Sequence, residues 1–304
     1  MPPRLVCLGN MTFDDVELPN GTEQLGCLGG DALYAALGAR LVMPEVELVA
    51  PVGTDFPVAI GDRITEAGLS TQGMPVRART TLHNRVAYAE DGSRQWTIYD
   101  DEAAFDDLSP TYDDIPVAFR AADAFLILAM TLTAQIRLVD ALRANTRAII
   151  ALDMQEDYIA GNEAALKALI ARTDVFLPSA DEIRQLLGHE NWEAALPELA
   201  ALGPSIVVAK LGEQGCAVFE RNSGRLTRVP ALPASIVDTT GAGDSFCGAF
   251  MAEWLRGGDP VSAAHAGTAA ASFTVEDYGL DRLWHATPES FAQRLRTREV
   301  PGIL

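Results

Sequence analysis

The run Asp238-Thr239-Thr240-Gly241-Ala242-Gly243-Asp244-Ser245-Phe246 gathers residue types that can handle an anion and a proton. Gly241 and Gly243 flank Ala242 where the chain is predicted to enter an apolar helix reaching about Arg256. The first amides of a helix have no intrahelical acceptor, and the helix dipole adds positive charge there, so such a turn cradles anionic oxygens. Asp244 stands directly behind the cradle, where a carboxylate can take the proton of a hydroxyl attacking a bound phosphoryl group. An acid in the first turn also complements the dipole with no chemistry at all. The joint presence of Asp238, both glycines and Asp244 favours a phosphoryl-transfer centre.

Such a turn must be held by a scaffold, and the rest of the chain reads as one. Residues 4–9 form an apolar strand ending in glycine, and 13–27 a hairpin turning at Pro19-Asn20-Gly21. Gly29-Gly30 precede a small-residue helix from Asp31 to Leu41; Glu45 to Ala50 reads as a strand, and Asp55 as the cap of a helix to about Ala67. Alternation at 76–80, 85–89 and 95–99, with a turn at Asp91-Gly92, predicts half-exposed strands that could share a small sheet with the 13–27 hairpin. The acidic stretch 100–107 reads as the return linker. Beyond Phe119, strands near 124–129, 147–152, 174–178, 205–209 and 215–220 alternate with helices near 134–144, 162–172, 179–188 and 192–202. The motif follows a strand-like run from Ala231 to Val237, and helices near 260–275 and 288–297 end the chain. This alternation predicts an α/β protein with a mostly parallel sheet and a ligand site at the strands' C-terminal ends. Residues 1–12, 28–72 and 106–304 would make the large domain, and 13–27 with 73–105 a small β lid.

Composition narrows the partners. The formal charge of −19, with Lys167 and Lys210 the only lysines, repels nucleic acid and anionic lipid. It would equally repel a nucleotide, so a phosphate site must be built locally from backbone amides, a few cations and a divalent metal. No apolar run reaches membrane-spanning length, and Met-Pro-Pro-Arg leads straight into a strand, so the expected location is cytoplasmic. Cys7, Cys27, Cys216 and Cys247 lack metal or redox spacing and read as core thiols.

DTTGAGDSF resembles the C-terminal signature of the ribokinase-like, or PfkB, family of carbohydrate and nucleoside kinases. Gly29-Gly30 resembles its N-terminal double glycine, Val52-Gly53-Thr54-Asp55 its VGxD segment, and Lys210-Leu211-Gly212-Glu213-Gln214-Gly215 its nucleotide loop. The resemblance covers essentially the whole chain. It implies a three-layer α/β/α ribokinase-like fold with a β-sheet lid, and an ATP-dependent kinase acting on a sugar or polyol with Mg2+. Asp244 then matches the general base, and Gly241, Ala242 and Gly243 the anion hole. Asp14, Gly29, Gly30 and Tyr34 fall in the acceptor region, and Lys210, Gly212, Gly215 and Ser179 in the ATP region. Glu182 matches a residue that organises magnesium indirectly, while Asp238 and Thr240 match a monovalent-cation site, which suggests potassium.

Each of these positions has a plainer reading. Ser179-Ala180-Asp181-Glu182 is also a capping box, Lys210 a surface lysine, and the glycine pair a simple turn. Arg77, Arg79, Arg85 and Arg94 suit either an anionic substrate or a solvated strand face. Tyr34 and Ser179 stand where the family usually has asparagines, and Gln155 near another, so the named acceptor stays open. A nucleoside kinase is the nearest alternative; a non-catalytic sugar- or nucleotide-binding regulator is the next, and a homodimer through the lid is compatible with either. A Rossmann oxidoreductase is disfavoured because Leu8-Gly9-Asn10-Met11 lacks the glycine-rich dinucleotide turn.

Overall fold

The computed structural model describes residues 2, 4–18, 20–89 and 94–297. The chain begins with β1 (Leu5–Leu8), β2 (Thr12–Glu17), β3 (Glu23–Gly29), α1 (Asp31–Arg40), β4 (Val46–Val49) and α2 (Val58–Glu66). There follow β5 (Leu82–Tyr88), β6 (Arg94–Ile98), α3 (Glu102–Leu108), β7 (Ala124–Ile127), α4 (Leu132–Asn145) and β8 (Ile149–Leu152). Next come α5 (Glu163–Ile170), β9 (Val175–Phe176), α6 (Ala180–Leu187), α7 (Trp192–Leu202), β10 (Ile206–Lys210), β11 (Cys216–Glu220) and β12 (Arg225–Val229). The helices α8 (Ala242–Gly257), α9 (Pro260–Thr274), α10 (Asp281–Trp284) and α11 (Pro288–Arg296) complete the described chain.

Among the described residues, eight strands form one sheet in the order β12-β11-β10-β9-β8-β7-β1-β4, parallel from β10 through β4 and antiparallel at β11 and β12. Its strands are apolar on both faces: Leu5 and Cys7 point into one core layer, Val6 and Leu8 into the other. Helices must therefore cover both sides, which is the physical origin of the three layers. A second sheet, β3-β2-β5-β6, pairs β2 with β5 in parallel and sets Asp14 beside Asn84.

Glycine decides how the two helices nearest the motif pack. A Cβ on Gly38 of α1 would lie 2.4 Å from the Ser245 carbonyl oxygen, and one on Gly248 of α8 would lie 1.9 Å from that of Ala35. Those missing side chains let α1 and α8 touch backbone to backbone. Tyr34, in the first turn of α1, lies against Gly241 at the start of α8.

Several local expectations are corrected. Asp55 does not cap α2, whose helix starts after Pro57; its Oδ1 instead accepts from the Thr81 amide (2.7 Å) and hydroxyl (2.8 Å). Residues 76–80 form no strand beyond a bridge from Val76 to Val52. Their alternating arginines turn inward to acids, Arg77 to Asp114 at 2.6 Å and Arg79 to Asp107 at 3.6 Å. The supposed linker at 100–107 contains α3, capped by Asp101 through the Ala104 amide. Residues 231–237 are irregular, because Pro230 and Pro233 cannot donate to a ladder; the strand is β12, just before them. The hairpin turn survives at Asn20-Gly21, while Pro19, the Asp91-Gly92 turn and the Arg94 side chain lie outside the described residues.

Candidate active site

The C-terminal edge of the parallel strands carries Asn10 after β1, Asp153 after β8, Ser179 after β9 and Lys210 at the end of β10. The motif turn faces this edge. Gly241 adopts φ 74, a left-handed conformation that glycine enters freely, and it starts α8 with no side-chain cap. No capping side chain claims the amides of the first turn, and the Ala242 amide donates to the Thr239 carbonyl at 3.3 Å. Asp244 sits in that first turn, half-buried. Its charge contributes to holding the neighbouring Asp31 well above the usual carboxylate range, second to burial. Asp31 also receives the Asn10 amide at 2.8 Å.

On the acceptor side, Asp14 is only 7% exposed. Its Oδ1 accepts from Asn84 Nδ2 at 3.1 Å and its Oδ2 from the Thr12 hydroxyl at 3.3 Å. Burial pushes its carboxyl up to about 6, partly opposed by those two bonds. Gly29 is required beside it, since a Cβ there would lie 2.2 Å from Asp14 Oδ2. Gly30, the next residue, is the point at which α1 begins. Among the described residues, Asn84 Oδ1 is buried with no hydrogen-bond partner. Asp14, Val16, Cys27, Leu28, Tyr34, Val86 and Tyr88 line a cleft that also reaches Asp238 and Thr240. Tyr34 is buried with its ring against Gly241, so it belongs to the wall between acceptor and anion hole. Burial and the surrounding carboxylates raise its phenol well above the ordinary value. Cys27, expected in the core, is half-buried and lines this cleft.

On the nucleotide side, Lys210 is no surface lysine. Its ammonium bonds both oxygens of Asp153, at 2.7 and 2.6 Å, with side-chain exposures of 14% and 4%. Its Nζ would lie 3.5 Å from a Cβ on Gly243, so its positive charge is held beside the turn. Cys247 Sγ donates to Asp153 Oδ2 at 3.4 Å. Ser179 and Glu182 do form the capping box, Glu182 accepting the Ser179 amide at 2.7 Å. Burial, with Asp153 adding to it and Lys210 opposing, pushes Glu182 up to about 7. Gly212 and Gly215 shape the tight β10–β11 turn, Gly215 pressed against Val229.

Asp238 and Thr240 lie at the base of the motif. The Asp238 carboxylate accepts from the Thr240 amide (2.7 Å), the Gly279 amide (3.3 Å) and the Tyr88 hydroxyl. Three donors from the chain engage this carboxylate. Glu182, an acid whose charge is felt at Lys210, fits the indirect support of a magnesium ion carried mainly by phosphates and water, while the Asp153 carboxylate is engaged by Lys210. Among the described residues no cluster of three or more His, Cys, Asp or Glu side chains could hold a metal by itself.

Asp31, Asp153, Asn84 and Tyr88 escaped the sequence reading. Asp153 had a usable signal, an acid directly after a predicted parallel strand, where ligand sites gather. Asn84 and Tyr88 had none, because nothing local tells which face of a lid strand turns inward.

A model of the pfkB family of carbohydrate kinases matches residues 7–286. The chain belongs to the pfkB family. It is therefore a kinase that transfers a phosphoryl group to an alcohol acceptor, in a family whose members use ATP with Mg2+. Among relatives, this pfkB kinase is 28% identical to a cytidine kinase of Thermococcus kodakarensis over 259 residues, 83% of this chain and 89% of that protein. Its fold is that of Arabidopsis thaliana ribokinase complexed with ribose and ATP, with TM-score 0.75, 24% identity and coverage of 97% and 99% of the two chains. Burkholderia thailandensis nucleoside kinase in complex with inosine matches with TM-score 0.80 at 15% identity, covering 97% of each chain. Among the described residues no helix is long and apolar enough to cross a membrane.

Proposed function

We propose that this kinase transfers the γ-phosphoryl group of ATP to a sugar hydroxyl of a nucleoside. The observation that carries the transfer is the meeting of the first turns of α1 and α8, with the Tyr34 ring against Gly241 and Asp31 within reach of the Asp244 charge. Asp244 takes the proton of the attacking hydroxyl, and the amides at Gly241, Ala242 and Gly243 stabilise charge developing on the transferred group. Lys210, held beside the same turn and engaged by Asp153, and the Glu182 carboxylate form the phosphate and metal side. Gly212, Gly215 and Ser179 border the nucleotide. When bound with ATP, magnesium supplies charge neutralisation between the phosphates.

The acceptor class rests on the cleft. Asp14, held by Asn84, suits two hydroxyls of a pentose, because both of its oxygens can accept hydrogen bonds. Val16, Leu28, Val86, Tyr34 and Tyr88 around it make an apolar and aromatic wall that suits a flat base better than a polyol. A free pentose is the second reading, favoured because Asp14 reads only the sugar.

An ADP-release assay with Mg-ATP over cytidine, inosine, adenosine, ribose, fructose and glycerol tests both points. We expect turnover on a nucleoside and a loss of about 10²- to 10⁴-fold in kcat for Asp244→Ala. Preference for free ribose would replace the nucleoside reading with the sugar one. Undiminished turnover by Asp244→Ala would remove the base assignment.

A further inference from the structure

The strand that brings Asn84 to Asp14 ends at Tyr88, and Tyr88 reaches across to the catalytic motif. Its hydroxyl donates to Asp238 Oδ1 and lies 2.9 Å from Thr240 Oγ1. A phenol has one proton; with that proton on the carboxylate, the Thr240 hydroxyl is the donor in the second bond. The Tyr88 ring packs edge-on against Tyr278, with centroids 5.8 Å apart at 73°, and the adjacent Gly279 amide donates to the other oxygen of Asp238. Asp238 Oδ1 in turn holds the Thr240 amide at 2.7 Å. Tyr88 and Gly279, distant in sequence, therefore meet the motif on one carboxylate that is 5% exposed, three residues before Gly241.

Strand geometry makes this a coupling device. Residues 84, 86 and 88 alternate onto one face of β5, so Asn84, Val86 and Tyr88 all face inward. Asn84 holds Asp14, and Tyr88 holds the turn that leads into the anion hole. A shift of β5 away from the body would loosen both together. Resting on the kinase reading above, we propose that Tyr88 is a latch: a positioning residue through which closure of β5 over the acceptor fixes the Thr240–Gly241 backbone for phosphoryl transfer. The phenol touches neither the nucleotide nor the attacking hydroxyl in this role. It acts through Asp238 and Thr240.

The test is Tyr88→Phe in the full chain, which keeps the ring on Tyr278 and removes only the hydroxyl. Two readouts are taken: steady-state kinetics with Mg-ATP and cytidine or, if it is preferred, ribose, and amide hydrogen exchange of the ligand-free protein. Losing a hydrogen bond to a charged group corresponds to about a ten- to hundred-fold fall in kcat. KM for ATP should stay within about two-fold, since no ATP contact changes. Exchange at the Thr240 amide should quicken by about ten-fold, with the interior of α8 unaffected. Unchanged kcat together with unchanged Thr240 exchange overturns the latch. So does faster turnover by the variant, which would make the contact a brake. Wild-type protein inactive on every acceptor would count against the kinase reading alone, while the exchange measurement still decides whether Tyr88 holds the turn.

Discussion

Replacing Asp14 with asparagine should stabilise this protein at neutral pH while it damages acceptor binding. The carboxyl is pushed up to about 6 from an ordinary 3.8, burial being the main cause. Between those values the folded protein keeps a proton that the unfolded chain has released, so stability falls as pH rises through the interval. At about 1.4 kcal/mol per pH unit, ionising Asp14 in place costs about 3 kcal/mol by pH 8. The Asp14→Asn variant would carry no such cost. Its amide also keeps a partner for Asn84 and, after the Thr12 hydroxyl rotates, for Thr12, so the bonding lost is about 1 kcal/mol. Net stabilisation at pH 8 is then about 2 kcal/mol, shrinking to about 0.5 kcal/mol at pH 5, where most of the wild-type carboxyl is still neutral in the folded state. Urea unfolding of both proteins at pH 5 and pH 8 reads this difference directly. KM for the acceptor should rise by about ten-fold or more, because an amide cannot accept from two hydroxyls as a carboxylate does. A stability difference that is the same at both pH values, or one that favours wild type more at pH 8, would refute the buried-carboxylate argument.

Two further substitutions probe the other side of the site. Gly241→Ala places a Cβ 2.3 Å from a ring carbon of Tyr34 at φ 74, so it should lower the melting temperature by several degrees and kcat/KM by about ten-fold or more; adding Tyr34→Ser should restore part of the melting temperature, and no restoration would mean the ring is not the obstacle. Lys210→Met leaves the Asp153 carboxylate buried without its cation and should cost about 3–5 kcal/mol in urea unfolding. The double variant Lys210→Met with Asp153→Asn should recover much of that, and an equally unstable double variant would show that the uncompensated charge is not the cause.

Much of the fold was legible because its signals are local. Strands apolar on both faces, spaced by helices, force a covered parallel sheet whatever the loops do. The turn at Gly241 to Asp244 was equally legible, since glycine, helix start and acid follow one another within a few residues. Errors fell where a neighbour in space overrode the local pattern. Alternation at 76–80 mimicked a strand because Arg77 and Arg79 turn to acids far along the chain, and Asp55 looked like a cap until Thr81 claimed it.

Sequence alone determined that a phosphoryl group is handled, because the chemistry of the motif turn is carried by adjacent residues. The tertiary structure decided which side chains serve that turn. Lys210 meets Asp153 across 57 positions, Asn84 meets Asp14 across 70, and Tyr88 meets Asp238 across 150. Such pairs depend on sheet order, on strand register and on α1 packing against α8 through Gly38 and Gly248. A one-residue slip of β5 would turn Asn84 and Tyr88 away from the site.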